Sequence, residues 1–305
     1  SNTTGNDNIA SGYGALAANT TGNFNTALGT STLRSQSYDP GAPWDAHNTA
    51  VGYQALYNNN PTSTANGTIN TAVGSLSMHE NTTGMNNSAL GVNALYSNQT
   101  GSNNTAIGVN ALNSSTGNGN TALGKDAGSI AGFTGSNNIY IGQSVAPAST
   151  SESNTIRIGS SITATYISGI YSYTASSGIP VYVNSNGQLG TVTSSRRYKE
   201  DIKDMGEASS LLMKLRPVTF HYKNEYANDA GVLQYGLIAE EVAEINHDLV
   251  QYDNAGRPQS VYYHLINAML LNEVQKQQRQ IREQKDELAM LKERLARLED
   301  MLGKR

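Results

Sequence analysis

Ser194 stands five residues before Lys199 in the stretch SSRRYKE, and this is the feature of the sequence that bears on chemistry. A serine hydroxyl attacks a carbonyl once a base removes its proton. A lysine amine serves as that base where burial or neighbouring cations keep it neutral. Arg196, Arg197 and Lys203 are the nearby cations, and Ser195 is a second hydroxyl, four residues from Lys199. The same residues fit a plain helix start, with Ser capping the first turn and Glu200 and Asp201 following. On spacing alone the helix start is the better reading. His221, His264, Glu240 and Glu241 fit structural roles as well as roles in tuning such a site. His47 and His79 lack carboxylate or histidine partners at a ligand spacing and read as surface histidines. With no cysteine in the chain there are no disulfides or thiolate sites, and no metal or cofactor is expected.

What must position these groups is a chain of two unlike parts. Residues 1–193 carry nine charged side chains: Arg34, Lys125, Arg157, Asp7, Asp39, Asp45, Glu80, Asp126 and Glu152. The other 35 fall in the last 112 residues. The hydrophobic share, 37%, is low for one large core, and the net charge of -4 points to neither nucleic acid nor a membrane surface. No apolar run reaches the roughly 18 residues of a membrane span. The N-terminus lacks the charged and apolar regions of a signal peptide and begins inside a repeat, so the chain is expected to be part of something longer.

The repeat reads N-T-A-φ-G-x-x-A-L, where φ is aliphatic. It runs from Asn8, Asn25, Asn48, Asn70, Asn87, Asn104 and Asn120, with degenerate copies at Asn138 and Asn154. The motif glycines, from Gly12 to Gly159, are spaced 17, 23, 22, 17, 17, 16, 18 and 17 residues apart. Such a period is that of a solenoid. Thr71 and Val73 point to one face of a short strand and Ala72 to the other. The glycine permits a corner that a Cβ would obstruct, and the Ala-Leu segment supplies another inward apolar residue. NTTG at Asn19 and Asn81, NQTG at Asn98 and SSTG at Ser114 read as polar turns, with Asn and Gly suited to the left-handed region. Two insertions lie around Gln36–Asp45 and Asn58–Gly67. Trp44, Tyr53 and Tyr57 beside them are expected to pin them down, or to grip a receptor. Two or three aliphatic residues per coil are too few for a broad core in one chain, and three chains sharing an axis would supply it. The motif resembles the head of trimeric autotransporter adhesins over roughly residues 8–160. The resemblance implies a left-handed parallel β-roll, three chains side by side.

Residues 161–193 are rich in β-branched residues and tyrosine. The Asn186-Gly187 pair predicts a hairpin between VYV (181–183) and TVT (191–193), within a narrow trimeric neck. Beyond it, Leu211, Leu212 and Leu215 share a face of a short helix stopping before Pro217, VTFHY is strand-like, and Ile238, Val242 and Ile245 have helical spacing. A 4-3 apolar pattern then runs for five heptads. Its a positions are Val274, Ile281, Leu288, Leu295 and Leu302, and its d positions Leu270, Gln277, Gln284, Leu291 and Leu298, as in a three-stranded coiled coil.

Three pieces, S-x-R-R-x-K-x-x-I at 194–202, L-x-P-V-x-F at 215–220 and Y-G-x-I-A-x-E-V at 235–242, closely resemble the intramolecular chaperone auto-processing family. That family occurs at the C-termini of phage endosialidase tail spikes, other tail fibres, bacterial surface proteins and myelin regulatory factor. The resemblance covers 194–305 and reverses the helix-start reading. It implies that Ser194 and Lys199 are a catalytic serine–lysine dyad and that the Thr193–Ser194 bond is the one cut.

The expected organisation is mainly β. It comprises a β-roll (1–160), a β connector (161–193), a small α+β chaperone domain (194–268) and a trimeric coiled coil (269–305). The expected function is a homotrimeric surface or virion fibre, a tail fibre or adhesin, with a single-turnover autoproteolytic serine endopeptidase. Its partners would be two further copies and a host-cell surface glycan or protein receptor, with no nucleic acid and no membrane. The alternative is an uncut adhesin in which 194–305 stays as a trimerisation foot. A membrane-anchored transcription factor precursor lacks its span and basic segment here. A glycan-cleaving spike lacks paired carboxylates among the scattered acids of the repeats.

Overall fold

The motif N-T-A-φ-G folds as a three-residue strand closed by its glycine, and successive copies stack in parallel. In the computed structural model, which describes residues 2–167, 170, 176–184, 186–225, 231–253 and 255–303, the chain forms two units, Ser1–Tyr171 and Ser172–Arg305. The first unit contains β1 (Ile9–Ser11), β2 (Gly22–Asn23), β3 (Thr26–Leu28), β4 (Trp44–Asp45), β5 (Thr49–Val51) and β6 (Thr71–Val73). It continues with β7 (Ser88–Leu90), β8 (Thr105–Ile107), β9 (Thr121–Leu123), β10 (Ile139–Ile141) and β11 (Ile156–Ile158). Apart from the separate parallel pair β2–β4, these build one nine-stranded parallel sheet in chain order. Its register sets alanine on alanine from Ala10 through Ala27, Ala50, Ala72, Ala89 and Ala106 to Ala122, then Tyr140 and Arg157.

The buried face of the sheet is the alanine face. From Ala27 to Ala122 this column is buried against a second one, Leu16, Leu33, Leu56, Met78, Leu95 and Leu112. The coil is one leucine deep, so a side chain larger than alanine on the strand would overpack it. The aliphatic residue before each glycine faces the other way, and on the single chain Leu28, Leu90, Ile107, Leu123 and Ile158 are exposed in one in-register row. The glycine itself is fixed twice over. Gly91 has φ +138°, and a Cβ there would lie 2.5 Å from the Gly108 carbonyl oxygen of the next coil.

Polar side chains complete the interior. The backbone N–H of Asn87 donates to Asn70 Oδ1 (3.1 Å) and that of Asn104 to Asn87 Oδ1 (2.9 Å), while Asn87 Nδ2 donates to the Gly101 carbonyl (2.9 Å). The same contacts repeat through Asn120 and Asn138. A second buried ladder links Asn19, Gln36, Asn59, Asn81 and Asn98 side chain to side chain. The turn asparagines therefore work differently from the left-handed turns expected. Asn19, Asn81 and Asn98 keep negative φ, as do Gly22, Gly84 and Gly101. Their amides span the turn to those glycine carbonyls. At the last coils the alanine column gives way to buried Tyr140, whose hydroxyl donates to Glu152 Oε1 at 3.1 Å, with Arg157 paired to Glu152 at 2.5 Å. Trp44 is buried edge-on against Tyr38, so it pins the insertion as expected. His79 is no lone surface group. It stacks between Tyr57 and Tyr96 and contacts Glu80 at 2.8 Å, while the exposed His47 stacks on Phe24.

The second unit begins with the antiparallel hairpin β12 (Tyr182–Val183) and β13 (Leu189–Gly190). The Asn186-Gly187 turn is where the sequence places it, but the returning strand is Leu189–Gly190 and not TVT, because Asn184 closes a short loop on Gln188. Ser168, Gly169, 171–175 and Ser185 of the expected neck lie outside the described residues. A 3-10 helix, Gly206–Lys214, replaces the short helix foreseen around Leu211, and Leu211 and Leu215, without Leu212, pack on the small core. β14 (Val218–Phe220) pairs with β15 (Gln234–Gly236), and β16 (Val250–Tyr252) with β17 (Pro258–Val261). Helix α1 (Ala239–Ile245) buries Val242. Helix α2 (Tyr263–Gly303) packs its first turns on this core through Ile266 and Met269. Its heptad residues Leu270, Val274, Ile281, Leu288, Leu291, Leu295, Leu298 and Leu302 form an exposed stripe on the single chain. No helix among the described residues is long and apolar enough to cross a membrane.

Candidate active site

A single 3-10 turn, Arg196–Tyr198, brings Ser194 and Lys199 together. Its bonds are Tyr198 N–H to the Ser195 carbonyl (3.0 Å) and Lys199 N–H to the Arg196 carbonyl (3.1 Å). Lys199 is already extended (φ -127°, ψ 139°), so the chain reverses and the side chains of Ser194 and Lys199 meet. Lys199 Nζ donates to Ser194 Oγ at 3.0 Å. With the amine unprotonated, the same contact carries the hydroxyl proton to nitrogen. The capping contact required by the helix-start reading is absent, since the Ser195 side chain makes no cap bond.

The other candidates fall elsewhere. Arg197 lies over the Tyr198 ring. Glu241 is paired with Arg216, and His264 packs against Tyr182 and Tyr262. Among the described residues none of His221, His264, Glu240 and Glu241 hydrogen-bonds Ser194 or Lys199. Upstream of the pair, Thr191 and Val192 line a groove of about 1060 Å³ together with Tyr252, Tyr262 and His264. Thr193 is the next residue along.

A second serine–lysine contact, 66 residues apart in sequence, was beyond sequence reasoning: Lys276 Nζ donates to Ser210 Oγ at 2.9 Å. Its surroundings differ. Lys276 also reaches Glu207 (2.8 Å) and Glu273 (3.0 Å), and the hydrogen bond to Glu207, then that to Glu273, raise its pKa. A lysine so held is a fixed cation, not a base. Lys199 has no carboxylate in ion-pair range among the described residues.

Residues 194–251 match the model of the family described as chaperone of endosialidase. The match starts at Ser194 itself and takes in the 3-10 turn, β14, β15 and α1. No curated protein matches the chain.

Proposed function

We propose that this chain is a segment of a trimeric extracellular or virion fibre, whose part from Ser194 onward aligns three copies and then cuts itself away at Thr193–Ser194. The observation that carries the reading is the 3.0 Å contact between Lys199 Nζ and Ser194 Oγ, at the first residue of the family match. Lys199 takes the Ser194 hydroxyl proton and Oγ attacks the Thr193 carbonyl carbon. The peptide C–N bond breaks as the Ser194 nitrogen takes up a proton, leaving an ester. Water then splits the ester, giving a Thr193 carboxylate and restoring the hydroxyl.

The exposed aliphatic row of the roll and the exposed stripe of α2 support association of copies, because continuous apolar surface of this extent marks an interface. Registering three parallel solenoids is slow and entropically costly, and a coiled coil holding the chains at high local concentration offsets this. Removal of the chaperone then closes the route back and leaves the fibre kinetically stable. Displayed on a surface, the roll would meet a host-cell glycan or protein receptor. Denaturing gels and N-terminal sequencing of the associated chain test the reading. A fragment of 112 residues beginning SSRRYKE is expected. A single uncut band would make 194–305 a permanent trimerisation foot.

A further inference from the structure

Glu273 is the one charged residue buried among the described residues, and the chemistry above does not use it. It precedes Val274, the first a position of the heptad pattern. Its carboxylate accepts from Ser209 Oγ (2.5 Å) and from Lys276 Nζ (3.0 Å). Asn272 Nδ2 donates to Ser209 Oγ (2.6 Å) and to the Gly206 carbonyl (2.8 Å), and Lys276 also holds Glu207 and Ser210. Every partner outside α2 lies on the 3-10 helix Gly206–Lys214. Breaking such a cluster strands a buried charge, so it fixes one arrangement even where it adds little net stability. The chain path gives that arrangement its meaning. Residues 191–208 are exposed, and Ser209 is the first buried residue downstream of Lys199.

We infer that Glu273 and Lys276 are positioning residues for the cleavage: they clasp the segment following Lys199 to the turns of α2 that begin the apolar stripe, so that helix assembly sets the Ser194–Lys199 pair. This rests on the reading of Ser194 as nucleophile. The clasp accounts for a charge buried where an apolar residue would pack more cheaply, and it joins the assembling helix to the reacting turn through only residues 200–205.

The test uses the full chain with Glu273→Gln, Lys276→Met and Lys276→Arg, following association by sedimentation and cleavage by mass against time. Glu273→Gln and Lys276→Met are expected to associate as the unaltered chain does and to cleave at least about tenfold more slowly, the scale of a small misplacement. Lys276→Arg keeps a cation between the two carboxylates and should stay within about threefold. Wild-type rates in all three overturn the inference, and loss of association in the first two assigns the cluster to folding alone and overturns it as well. Hydrogen exchange in the Ser194→Ala chain reads the clasp without cleavage. Adding Glu273→Gln should speed exchange of the Tyr198 and Lys199 amides. A change confined to 206–214 contradicts the inference. If the unaltered chain is never cut, the functional reading falls, while the exchange result still decides whether the clasp reaches Lys199.

Discussion

The two units bury different things. The roll closes on itself: each coil lays alanine, leucine and asparagine on their counterparts in the next, while its outward aliphatic row and side chains such as Tyr13, Tyr53, Val92 and Val109 are left bare. Among the described residues the second unit buries four apolar side chains, Val242, Leu249, Val250 and Val261, and leaves the stripe of a 41-residue helix uncovered. In a solenoid with nearest-neighbour bonding each coil is held by the next, whereas the second unit has little core of its own and a long bare stripe. On the proposed function the first is the lasting product and the second the disposable assembler.

Breaking association should give the largest effect. Leu288→Asn removes an apolar side chain from each helix of the proposed trimer, and sedimentation should show association weakened by about 1,000-fold. In the roll, Leu95→Ala leaves a cavity in a fully buried column and should cost about 2–5 kcal/mol by denaturant unfolding of that unit. Asn87→Leu strands the Asn104 amide and the Gly101 carbonyl and should cost about 2–4 kcal/mol, against almost nothing at the exposed Asn118.

The smallest effect should be at the end of the roll. Arg157, chiefly by its hydrogen bond, lowers the pKa of Glu152 from the ordinary 4.5. The stability this adds is present above that value and is lost as the pH falls through the lowered native one. Burial raises Tyr140 above its ordinary 10.0, so ionisation weakens the same end above that pH. Thermal melts should show both losses, the acid-side one about 1 kcal/mol or less for a partly exposed pair, and Glu152→Gln should remove it.

The glycine corners and the stacking of coils were legible because each coil repeats one short pattern and its geometry is local. The buried face was harder to read. Hydrophobicity favours valine over alanine inside, but the coil is too thin, so Ala72 is buried and Val73 faces outward. The motif asparagines carry a signal of their own. A polar residue keeping its place from Asn8 to Asn138 as strictly as the glycines is a core residue with fixed partners, and in the last coil Thr155 takes that place. Ser194 and Lys199 stood out only through the surrounding motif, since their spacing alone fits a helix start. The clasp of Glu273 on Ser209 spans 64 residues and leaves no periodic trace.

The most direct test is intact-mass analysis of the associated chain beside Ser194→Ala, Lys199→Ala and Ser195→Ala. Fragments of 193 and 112 residues are expected from the unaltered and Ser195→Ala chains, with Ser194→Ala and Lys199→Ala whole. An unaltered chain that stays whole after associating, or a Ser194→Ala chain that is still cut, would contradict self-cleavage by this pair.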